Sequence, residues 1–316
     1  MLLSPGLASR GGVLWDAVAL AARFGVGLVF VLGLTDALVA AARTDIFAPK
    51  FQVAFHGANP CSRVILGTSH VFHGVDPHAL ELPGQALYNF GFNGSNPSYF
   101  LAFYTDLCRF YARPSLVLLG LDPLFLKRFA WSRRYVQDSE YWPGPLFLQR
   151  ATRVDADAGT AWLNRFPLVK HRDPLQDATA CVPARSRFLV EKAYRGYVPM
   201  APQGTPILEG TDFPDDPGFT ADLPVLLGRL KADGARVVLF QTPEFLAVTG
   251  DHHADNAKLA AVARRFELPF LNYNAERRSE LNREARLFND GGHLNVLGSE
   301  RFSRRLAADL RAGHFL

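Results

Sequence analysis

Apolar residues along this chain come in short blocks that end at Gly, Asn, Asp or Pro, and the blocks alternate between two rhythms. Residues 63–67 (RVILG), 86–90 (ALYNF), 115–121 (SLVLLGL), 236–241 (RVVLFQ) and 269–272 (PFLN) are brief and nearly continuous in apolar side chains. Such runs predict strands buried on both faces. Residues 99–111, 219–232, 256–266 and 299–312 instead space their apolar positions three and four apart, which predicts helices with one buried stripe. Ser299 is the expected N-cap of the last helix. Strands alternating with helices predict an α/β fold, a three-layer α/β/α sandwich around a mostly parallel sheet.

Two stretches break this rhythm. Residues 24–35 (FGVGLVFVLGLT) carry no charge, and 37–42 (ALVAAA) carry the apolar run past Asp36, with Arg10 and Arg23 before it and Arg43 and Lys50 after it. A run of about 19 residues just crosses a bilayer. Three readings fit it: an uncleaved signal anchor, a signal peptide cleaved at the A-x-A-like end 40–42, or an amphipathic surface helix. The anchor is the expected form, and it places the rest of the chain outside the cytoplasm. The second stretch lies between the strands at 115–121 and 236–241. From Leu124 to Met200 it holds 13 Lys/Arg against 7 Asp/Glu, although the whole chain is only +4, so positive charge is concentrated there. Its Trp131, Arg133, Arg134, Tyr135, Tyr141 and Trp142 suit a groove wall that stacks sugars and attracts uronate or phosphate. They suit a small core of the insertion equally well. The expected organisation is a membrane or signal segment over 1–50 and one domain over 51–316, with an insertion at about 124–215.

Composition narrows the function. With 48% hydrophobic and 20% charged residues the chain is built to fold, and +4 is too weak a charge to indicate a nucleic-acid partner. Cys61, Cys108 and Cys181 share no C-x-x-C spacing, so no zinc site is expected. In 251–255 (DHHAD) the adjacent His252 and His253 point apart on regular backbone, which reads as a loop and helix start. Neither metal nor other cofactor is expected.

The chemistry gathers elsewhere. In a parallel sheet ligands bind beyond the carboxyl ends of the strands, and Ser69 stands just past the first strand. A serine hydroxyl needs a base to remove its proton. His70 is badly placed for this, because neighbouring side chains diverge. His293 is better: two glycines separate it from Asp290, in a loop between the last strand and the last helix. Ser69, His293 and Asp290 can therefore meet at one sheet edge as nucleophile, base and orienting carboxylate. A plainer reading makes Ser69 a helix cap and the other two hydrogen bonders within their loop. His73 and His78 read as surface or supporting residues.

"ILGTSHVFHGVDP", "YNFGFNGSNP", "VLLGLDP" and "DGGHLNVLGSERFSRRLA" occur in that order. Together they resemble the SGNH/GDSL hydrolase superfamily, over residues 61–123 and 236–312. The likeness is strongest to its membrane-tethered branch, which includes alginate O-acetylation proteins and the D-alanyl teichoic acid transfer protein. The resemblance implies Ser69 as nucleophile, Asp290 and His293 as the acid–base pair, and the backbone N–H of Gly91 in an oxyanion hole. Where that family has G-x-N-D, this chain reads Gly120-Leu121-Asp122-Pro123. An ionised Asp122 would repel an oxyanion, so Asn93 or Asn96 is expected to supply the missing amide beside the N–H of Ser69.

The implied activity is serine-dependent acyl transfer, O-acetylation or deacylation of a cell-envelope or exported polysaccharide. Its partners would be an acyl donor, a glycan acceptor and a membrane-bound O-acyltransferase. It would sit at the inner membrane on a single span, with the catalytic domain periplasmic or extracellular. Two other functions stay open: a general carboxylesterase, and a non-catalytic glycan-binding or assembly protein whose site has degenerated at Asp122.

Overall fold

The structure, a computed structural model, describes residues 8–45, 50–51, 53–54, 62–81, 86–110, 113–126, 181–183, 195–202, 217–245, 253–275 and 280–316. It begins with one long helix, α1 (Ala8–Ala42). Within it Ala17–Leu38 is long and apolar enough to cross a membrane, with a mean hydropathy of 2.2, and among the described residues none of it is buried. Trp15, Phe24 and Phe30 are all exposed, and the helix lacks the polar face that a surface-lying amphipathic helix requires. Length and composition suit a membrane span, and they suit a signal sequence equally.

Five strands form a wholly parallel sheet: β1 (Arg63–Gly67), β2 (Leu87–Gly91), β3 (Leu116–Gly120), β4 (Arg236–Gln241) and β5 (Phe270–Asn272). Their order across the sheet is β2-β1-β3-β4-β5. The connecting helices are α2 (Ser69–Gly74), α3 (Pro97–Phe110), α4 (Pro217–Ala232), α5 (His253–Arg265) and α6 (Val296–Ala312). A separate antiparallel pair joins residues 43–45 to residues 181–183.

The strand sequences are continuous in apolar residues because both faces are buried. Val64, Leu66, Val117, Leu119 and Leu239 pack on one side with residues of α3, α4 and α5. Ile65, Leu118, Val238 and Phe240 pack on the other with Val71 of α2 and Phe302, Leu306 and Leu310 of α6. This is the expected three-layer α/β/α fold. The first core also takes in Phe51 and Ala54, from beyond α1. Phe51 stacks on Phe92 with ring centroids 5.2 Å apart, and the buried Lys50 places its ammonium 4.0 Å from the centre of the Phe72 ring.

The elements differ from expectation mainly at their ends. α6 starts at Val296, capped by Asn295, whose side-chain oxygen accepts the N–H groups of Leu297 (3.0 Å) and Gly298 (3.2 Å). Ser299, the expected cap, is buried in the helix's first turn. α5 starts at His253, while residues 251 and 252 lie outside the described residues, as do Cys61, Trp131, Arg133, Arg134, Tyr135, Tyr141 and Trp142.

Candidate active site

The strand order reverses on either side of β1, since β2 lies to one side and β3 to the other. Connections leaving in opposite directions open a crevice at the carboxyl end of the sheet. Over this point sits α2, held close by the glycines that end the strands. A Cβ on Gly91 would stand 2.6 Å from the backbone nitrogen of Phe72, and one on Gly120 would stand 2.2 Å from a Val71 methyl. Asn89 fixes the helix from below: its Nδ2 donates to the carbonyls of Val71 (2.9 Å) and Val75 (2.8 Å).

Thr68, not Ser69, caps α2, its hydroxyl accepting the N–H of His70 at 3.3 Å. Ser69 is thus the first helical residue, and its hydroxyl turns to the loop before α6. There the Asp290 carboxylate builds its own turn by accepting the N–H groups of Gly292 (2.9 Å) and His293 (2.7 Å). The turn is pinned from outside by Phe245 N–H on the Gly291 carbonyl (2.9 Å) and by Asn289 N–H on the His293 carbonyl (2.8 Å).

The result is a continuous chain of hydrogen bonds. His293 Nδ1 lies 2.8 Å from Asp290 Oδ2, and His293 Nε2 lies 2.7 Å from Ser69 Oγ. A carboxylate at Nδ1 selects the tautomer with hydrogen there, which leaves Nε2 free to accept the serine proton. Burial alone would raise the Asp290 carboxyl. The hydrogen bond and charge of His293, with the two backbone N–H groups, outweigh it and hold Asp290 far below the ordinary carboxylate range. His73 backs the assembly, with its ring centre 6.0 Å from that of His293 and its Nδ1 2.7 Å from the Val198 carbonyl. Enclosure, then the nearby His293, push its imidazole down to about 3, so it is neutral. His78 is on the surface beside Glu81.

The remaining expected site residues have other tasks. The Gly91 N–H donates to Asn89 Oδ1 at 2.7 Å, and its carbonyl accepts from Lys50 Nζ. The glycine is there because α2 leaves no room for a side chain. Asn96 caps α3, its oxygen accepting Tyr99 N–H at 3.0 Å. Asn93 lies in the turn after β2, its side-chain oxygen without a hydrogen-bond partner. Asp122 is buried beneath α2 and accepts the Thr68 hydroxyl.

Behind Ser69 lies a group that the sequence did not reveal. His70 Nδ1 is 3.8 Å from both Asp122 Oδ2 and Glu244 Oε1, and all three residues are at most 4% exposed. Glu244 is the first charged residue beyond β4, so its place at the carboxyl end of a strand was the available signal. Among the described residues no cluster of three or more His, Cys, Asp or Glu could hold a metal ion.

Comparison with protein families finds no match, and comparison with curated proteins finds none. Among solved structures, the chain is similar to a proposed acylhydrolase from Bacteroides fragilis at 12% identity and a TM-score of 0.40, covering 83% of this chain and 94% of that one. It is also similar to a GDSL-like lipase from Bacteroides thetaiotaomicron at 13% identity and a TM-score of 0.37, covering 84% and 96%.

Proposed function

We propose that the chain is a serine-dependent acyltransferase that O-acetylates or deacylates a cell-envelope or exported polysaccharide. The observation that carries the reading is the Ser69–His293–Asp290 relay, in which a hydroxyl and an imidazole 224 positions apart in sequence stand 2.7 Å from one another. His293 Nε2 takes the Ser69 proton as Oγ attacks the acyl carbonyl, and the protonated imidazole then gives that proton to the departing oxygen or sulfur. This leaves an acyl-enzyme. His293 next removes a proton from a glycan hydroxyl, that oxygen attacks the acyl carbon, and Ser69 departs with its proton restored. Asp290 holds the imidazole in register and balances its charge. The backbone N–H of Ser69 and the side chain of Asn93 are the proposed oxyanion donors.

The apolar α1 supports work at a membrane surface, where a membrane-bound O-acyltransferase would hand over the acyl group. If water replaces the glycan hydroxyl in the second step, the same relay gives a carboxylesterase. Asp122, which would favour a binding protein with a degenerate site, is turned into the interior and does not oppose the catalytic reading. A fluorophosphonate probe tests it: Ser69 is labelled, and labelling disappears in His293→Ala. No labelling of folded protein refutes it. Mass measurement of a glycan incubated with an acetyl donor then separates transfer from hydrolysis.

A further inference from the structure

Directly behind the nucleophile, Thr68, His70, Asp122 and Glu244 form a buried polar cluster that the acyl-transfer steps do not use. It is tied to the His293 loop in three ways. The His70 ring packs edge-on against His293, with centroids 4.8 Å apart and planes at 78°. It also lies so near the loop that a Cβ on Gly292 would stand 2.7 Å from His70 Nε2. And Glu244 precedes Phe245, whose N–H holds the Gly291 carbonyl. Glu244 is itself fastened, its N–H donating to Asn274 Oδ1 at 2.9 Å and its carbonyl accepting Asn282 Nδ2 at 2.9 Å. Movement at Glu244 is therefore delivered to the turn that carries the base.

We infer that Glu244, Asp122 and His70 form a buried proton-holding unit that positions the His293 loop, and that loss of its proton disables Ser69. The inference rests on the serine reading above. Titratable groups reach Glu244 from three sides: Asp122 after β3, His70 on α2, and Asp255 on α5, the last 3.6 Å from Lys258. Burial first, then the charges of Asp122 and Asp255, push the Glu244 carboxyl up to about 8. At neutral pH it keeps its proton. Ionisation puts a negative charge beside that of Asp122, where burial penalises the charged form. Relief requires the 242–245 segment to shift or hydrate, which breaks its hold on Gly291.

Two measurements on the full chain in detergent micelles test this together. The first is an infrared difference titration, which reads the C=O band of a protonated carboxyl without reference to activity. The second is the rate of Ser69 labelling by fluorophosphonate across the same alkaline range. The expected result is a band lost with a midpoint near 8 and a labelling rate that falls at least about tenfold over the same range. Glu244→Gln, nearly the same shape but unable to ionise, should lack both changes. Asp122→Asn should move both midpoints to lower pH, because Asp122 then no longer opposes the second charge. A wild-type band that never disappears, or an alkaline fall that survives unshifted in both variants, overturns the inference. Absent labelling at every pH with the band intact marks a failed serine reading and not a failed proton unit.

Discussion

Two polar groups meet at α2, one on each side of its first turn. Ser69, His293 and Asp290 are partly exposed and joined by hydrogen bonds of 2.7 and 2.8 Å. His70, Asp122 and Glu244 are buried, with His70 Nδ1 3.8 Å from an oxygen of each acid. Both sets combine a histidine with carboxylic acid, yet hydration and distance send them to opposite states. In the outer set a close imidazole and two backbone N–H groups keep Asp290 ionised despite its burial. In the inner set burial and like charges keep Glu244 protonated. A carboxyl group's role here follows from whether donors reach it before another acid does.

The largest test of that contrast removes the outer base. His293→Ala should lower the rate of Ser69 acylation by about 10⁴-fold, read as ester turnover or probe labelling, with the folded state unchanged in circular dichroism. Asp290→Asn, which keeps the shape but exchanges an acceptor for a donor, should cost about 10³-fold and leave the protein folded. The inner set should answer in stability instead. Glu244 titrates higher folded than unfolded, from 4.5 to about 8, so the folded state holds its proton more tightly. Its favourable contribution is complete below pH 4.5, declines as pH rises, and is gone above about 8. Glu244→Gln should abolish a decline on the order of 5 kcal/mol, measured by denaturant titration at acid and alkaline pH. A smaller effect belongs to the seam between the sets. Gly91→Ala forces a methyl towards the Phe72 backbone and should cost about 2 kcal/mol in thermal unfolding. Asn295→Ala removes the cap that anchors the loop's far end and should cost about 1 kcal/mol by the same measurement.

The outer set was legible in the sequence, and the inner set was not. Strands buried on both faces leave continuous apolar runs, so RVILG, SLVLLGL and RVVLFQ declared themselves, and a parallel sheet puts everything after such runs at one edge. Ser69 and the Asp290–His293 pair could be joined on that rule alone. Local chemistry was less readable. Thr68 and Asn295 took the capping positions because each lies one residue before the first helical turn, whereas apolar periodicity marks only where a stripe begins. Gly91 was legible as a special position but not for its cause, since the close approach of Phe72 depends on tertiary packing. Glu244 and Asp122 meet His70 only through three strand ends in the sheet's particular order, and nothing in a linear pattern announces that meeting.

Lys50 and Phe51 tie the start of the globular part to its interior. Lys50 lies eight positions beyond Ala42, where α1 ends, with the pairing of residues 43–45 to residues 181–183 between them. Tension on α1 would meet the pairing of residues 43–45 with residues 181–183 first, and the Lys50 ammonium on the Gly91 carbonyl beyond it.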